Sequence, residues 1–113
     1  MQKPERAFYR IVYPPMFRPK IEIKGADYDV LNLSEKGLKF ELPSRKKDEQ
    51  RPQFDHFIKG VVRFVDGEVV LVEGKILRRE DSAVILLLTV GIPLSKIMSE
   101  QLYLIQKFRD LSQ

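Results

Sequence analysis

Two arginines four positions apart, Arg6 and Arg10, lie in the opening stretch ERAFYR, before the first clear strand pattern. A second polar set, Asn32, Ser34 and Gly37, follows in NLSEKG. A guanidinium group is a planar, permanently charged fork that can hold two oxygens of a carboxylate or phosphate at once or stack on a flat ring. Lysine supplies the charge without the fork. Asn32 and Ser34 are two apart in an extended stretch, so their side chains project to one face and can read a ligand's edge at fixed geometry. The turn also has a purely structural reading: Asn and Ser form turns, and glycine accepts positive φ on entry to a strand.

Other chemistry has little to stand on. The chain has no cysteine, which removes disulfides, thiolate metal sites and cysteine nucleophiles. Its one histidine, His56, has no second histidine or cysteine to share a metal with, and reads as a strand-end residue. The acidic residues are scattered among apolar ones, with no pair set apart as general acid and base. The six glycines fall singly, in no phosphate-loop pattern. The expectation is a binding protein, not an enzyme. A net charge of +4 is compatible with an anionic ligand without specifying one.

The elements that must position these residues are short and mostly extended. At 113 residues the chain fits one compact domain, and no apolar run approaches a membrane span. Nothing at the N-terminus argues for secretion. Residues 17–24 alternate, with Phe17, Pro19, Ile21 and Ile23 on one side and Arg18, Lys20, Glu22 and Lys24 on the other, which predicts a half-buried strand. After a turn at 24–27 a second strand runs to about Leu33. A third alternates through Leu38, Phe40 and Leu42. Residues 43–55 are polar and read as an exposed connection, and the basic run 45–47 inside it as solvated. Strands follow at 57–65, 69–78 and 83–90, with Asp66-Gly67 a strong hairpin signal between the first two. Six short strands predict an antiparallel barrel or sandwich. After Pro93, the spacing of Leu94, Ile97, Met98, Leu102, Ile105 and Phe108 predicts a helix with one buried face, with Ser99 as an alternative start.

The two polar stretches carry unequal weight alone. R-x-x-x-R is expected by chance about 0.7 times in a chain of this composition, and [DN]-x-S-x-x-G only about 0.02 times. In this order, on six strands and a C-terminal helix, they resemble a PilZ domain, across nearly the whole chain. The resemblance implies a six-stranded antiparallel β-barrel with a C-terminal α-helix, in a bacterial cytoplasmic receptor for cyclic di-GMP. It divides the chain into a flexible ligand-binding segment at 1–16, a barrel at 17–90 and a helix at 93–110. Arg6 and Arg10 would wrap the ligand against the barrel, and Asn32, Ser34 and Gly37 would form the rigid half of the site.

The ligand's chemistry suits these residue types. Cyclic di-GMP carries two phosphates and two guanines. Arginine can clamp the former and pair with O6 and N7 of the latter. Asn32 can pair with a guanine edge through its amide, and Ser34 can donate to a phosphate or a base. No metal or other cofactor is implied. Without an effector domain, the chain would act through a partner protein in motility, biofilm or virulence control. Asn32 stands where the family more often has aspartate, and Glu5 beside Arg6 can blunt its charge. Tyr9, Tyr13 and Phe17 are expected to pack as core or lid, with base stacking as the alternative. Two further readings stay open: a PilZ-like protein-interaction module without ligand, as in some type IV pilus proteins, and a small barrel that binds nucleic acid. Against the latter, the basic residues form no continuous stripe. The helix is expected to pack on the barrel, with self-association into a homodimer as its other role.

Overall fold

The computed structural model describes residues 10–43 and 53–111. Its elements run β1 (Ile11–Val12), a 3-10 turn (Pro15–Phe17), β2 (Lys20–Ile23), β3 (Ala26–Leu33), β4 (Gly37–Glu41), β5 (Phe57–Arg63), β6 (Val69–Arg79), β7 (Ala83–Val90) and α1 (Leu94–Leu111). All strand pairings are antiparallel. The hydrogen-bonded order β3-β2-β5-β6-β7-β4 closes on itself when β4 returns to β3, giving a six-stranded barrel. Closure leaves no free edge in the ring.

β1 is the extra strand. β2 covers β3 only over residues 26–29. β1 takes up the same edge further along, pairing Ile11 with Leu33 and Val12 with Asn32. Two residues are too few to show alternation, which is why this strand leaves no periodic signal in the sequence.

The expected strand at 17–24 starts later, at Lys20. Pro14, Pro15 and Pro19 punctuate this stretch, and a proline has no N–H to give to a ladder. Pro15 opens the 3-10 turn instead, and the carbonyl of Pro19 accepts from the Val30 N–H at 2.9 Å. The β2–β3 hairpin turns on Lys24 and Gly25, both at positive φ (51° and 82°), the two-residue turn whose twist matches its strands. Gly67, at φ 94°, serves the β5–β6 hairpin, where the Asp66 carboxylate accepts from the Glu68 N–H at 2.9 Å.

The core follows from alternation: Ile21, Val30, Phe40, Val62 and Val84 point inward and are fully enclosed. The helix is continuous from Leu94. Ser99 starts nothing; its hydroxyl donates to the Lys96 carbonyl at 3.1 Å. The expected buried face is corrected. Ile97 and Leu104 are buried, together with the charged Lys96 and Glu100. Phe108 is exposed on one side and meets Phe17 edge-on at 6.2 Å, as Tyr103 also does. Leu94, Met98, Leu102 and Ile105 face away from the core. The apolar positions span more of the helix than one contact with a curved barrel can cover.

Candidate functional site

β1 is what brings Arg10 to the barrel. Its pairing with Leu33 and Asn32, and the Tyr13 N–H donating to the Leu31 carbonyl at 2.9 Å, set the chain against the end of β3. Ile11 and Tyr13 alternate into the core, so the segment is anchored from Ile11 onward. Arg10, immediately before, is exposed.

The 34–37 turn is fixed from two sides. The Ser34 N–H donates to the Gly37 carbonyl at 2.9 Å. Gly37 is not at positive φ, so its conformational freedom is not what the turn uses. Its missing side chain is: a Cβ there would stand 3.1 Å from Ser34 Oγ. From the other side, the Leu88 N–H donates to the Lys36 carbonyl at 2.8 Å and the Ile92 N–H to the Glu35 carbonyl at 3.2 Å. A Cβ on Gly91 would lie 1.9 Å from that Glu35 oxygen, so only glycine allows the chain just past β7 to come this close to the turn.

An open cleft of about 400 Å³ lies over this region, and Arg10, Asn32, Ser34 and Gly37 all line it. Four of the five residues expected at the site therefore share one cavity. The fifth, Arg6, lies outside the described residues, as do Tyr9 and the basic run 45–47. The cleft volume falls in the range of small-molecule sites.

Two cations in the cleft carry no sequence motif: Lys39 and Arg78. Lys39 pairs with Asn32 across β3–β4, so its outward side chain belongs to the same wall. Arg78 gets there through a bulge. The ladder runs Ile76↔Leu86 and then Arg78↔Ile85, so Leu77 is the extra residue. Without the bulge Arg78 would oppose the buried Val84; with it, Arg78 opposes Ile85 on the outer face. Leu77 and Ile85 add an apolar floor. Glu80 bridges the two cations, 3.2 Å from Lys39 and 2.9 Å from Arg78, and Lys39 first among them holds its carboxyl below the usual range.

Just past Arg10, Tyr13 enters a buried polar cluster. Its hydroxyl donates to Glu100 on α1 at 2.7 Å. Burial, then the Glu100 carboxylate, pushes the phenol far above its ordinary range. Lys96 Nζ reaches Asp66 at 2.7 Å, Glu68 at 2.8 Å and Glu100 at 3.6 Å, and stands 4.4 Å from the Phe64 ring centre. Burial pulls the Lys96 pKa down, but the hydrogen bonds to Asp66 and Glu68 outweigh it and the net shift is upward. Tyr13 and Phe17 are thus packing residues, outside the cleft lining.

His56 is exposed, and among the described residues no three His, Cys, Asp or Glu side chains gather as a metal site. No described helix is long and apolar enough to cross a membrane. Comparison of the chain with family models, curated proteins and solved structures found no match.

Proposed function

We propose that this barrel is a PilZ-like receptor for cyclic di-GMP that relays the signal through a partner protein. One observation carries the reading: Arg10 and, far from it in sequence, Asn32, Ser34 and Gly37 line the same cleft. A chance occurrence of the rarer motif does not require Arg10 to meet it in space. Lys39 and Arg78 add positive charge where a ligand with two phosphates needs it, and Leu77 and Ile85 offer a dry surface for a purine face. Asn32 is the group for a guanine edge, and Ser34 for a phosphate or a base. The reading also assigns Arg6, which lies outside the described residues, to the same ligand. The contacts proposed are recognition contacts.

Isothermal titration of the full chain with cyclic di-GMP, GTP and cyclic di-AMP tests the reading. Saturable heat with cyclic di-GMP alone is the expected result, and it also counts the ligands bound. No heat at high micromolar concentration overturns it.

A further inference from the structure

From Leu94 to Gln106 the helix carries two formal charges, Lys96 and Glu100, and both are buried against the barrel. The outward surface of that span is therefore neutral: Leu94, Met98, Leu102 and Ile105, 42–67% exposed, flanked by Ser95, Ser99 and Gln106. This is unusual on a chain in which 32% of residues are charged. We propose that this face pairs with a second copy of the same chain, as two antiparallel helices across a two-fold axis.

Three features select a second copy as the occupant. First, the stripe is self-complementary when reversed. Two antiparallel helices related by a two-fold near residue 100 place Leu94 against the partner's Ile105 and Met98 against the partner's Leu102, so apolar meets apolar along the whole stripe. Second, Leu94, Met98 and Leu102 form a single ridge at steps of four, the ridge that interdigitates with its own kind at a crossing angle of about −50°. Third, each copy bears a net charge of +4. A face without charge lets two such copies meet with no like charges buried between them. Ser95 and Ser99, one turn apart on the flank, leave room for close approach. The contact is a single helix pair, so the dimer is concentration-dependent and at the small end of interface sizes. It involves none of the cleft residues and does not depend on any ligand there.

Sedimentation equilibrium of the full chain across the micromolar range tests this. The expected result is a rise from monomer mass to twice that mass. Leu102→Glu, a charge that is solvated in the monomer and buried in the pair, should hold the chain at monomer mass with its circular dichroism unchanged and the melting temperature that the wild type shows when diluted to monomer. The absence of cysteine allows a register test as well. Ser99→Cys, close to the two-fold, should cross-link under oxidised glutathione many times faster than Lys75→Cys on β6. A wild-type chain that stays monomeric at high micromolar concentration overturns the proposal and leaves the face to a different protein. So does a dimer that Leu102→Glu does not dissociate, or equal cross-linking at the two positions.

Discussion

The Tyr13 hydroxyl donates to Glu100 Oε1 at 2.7 Å, and this bond joins the segment that follows Arg10 to the helix. Tyr13 follows Arg10 by three positions, and both partners of the bond are buried. The N-terminal side of the cleft is thus held by a polar contact in the core as well as by the short ladder of β1. Tyr13→Phe removes the donor and leaves a buried carboxylate with Lys96, at 3.6 Å, as its partner among the described residues. The expected cost is about 1–3 kcal/mol. Urea titration of the variant beside wild type measures it, and an unchanged midpoint would remove the role given to this bond.

The Lys96 cluster sets a pH window. Lys96, with its hydrogen bond first, holds the Asp66 carboxyl below its ordinary range. Its contribution is therefore present above the unfolded value of about 3.9 and is lost as pH falls through the lower native value. Lys96 is shifted upward, so its contribution is full below about 10.4 and is lost as pH rises through the native value. Stability should be nearly flat in between and fall on both sides. Asp66→Asn should lower the plateau and flatten the acid limb, which thermal melts from acid to alkaline pH will show.

The cleft predicts a graded set of affinities. Arg10→Ala should weaken cyclic di-GMP binding about 10–100-fold, the value of one or two hydrogen bonds to a charged group, without changing the melting temperature. Lys39→Ala and Arg78→Ala should weaken it by about tenfold or less, because both cations already share Glu80. Titration calorimetry ranks the three. If Lys39 and Arg78 leave the affinity untouched while Arg10 does not, the ligand occupies the β1 side of the cleft only.

Gly91 and Gly37 separate architecture from site. At Gly91 the added Cβ meets backbone, 1.9 Å from the Glu35 oxygen, so Gly91→Ala must displace β7 or the turn. A loss of about 1–3 kcal/mol is expected. At Gly37 the neighbour is a side-chain hydroxyl at 3.1 Å, which can rotate. Gly37→Ala should cost less stability but turn Ser34 Oγ aside and so weaken ligand binding. Melting temperature and titration on the same two samples distinguish the effects.

Much of the barrel was legible in the chain, because alternation states directly which side of a strand is apolar. Leu38 and Phe40, or Val84, Leu86 and Leu88, reach the core as their spacing implies. The turns at Lys24-Gly25 and Asp66-Gly67 were legible for a different reason, since Gly25 and Gly67 mark them and both take positive φ. The helix was legible as a helix, but its buried side was not. Leu94 and Leu102 are as apolar as Ile97 and Leu104, and only the shape of the barrel decides which pair it covers.

At the candidate site, residue types and order determined that Asn32 and Ser34 share a face near a glycine and that arginines precede them. Tertiary structure alone decided that Arg10 comes to them, that Lys39 joins, and that a one-residue bulge at Leu77 turns Arg78 outward to complete the wall. Local pattern encodes what each residue does to its neighbours in the chain. Which distant residues meet is set by ladder register around a closed ring, and register is a property of all the strands together.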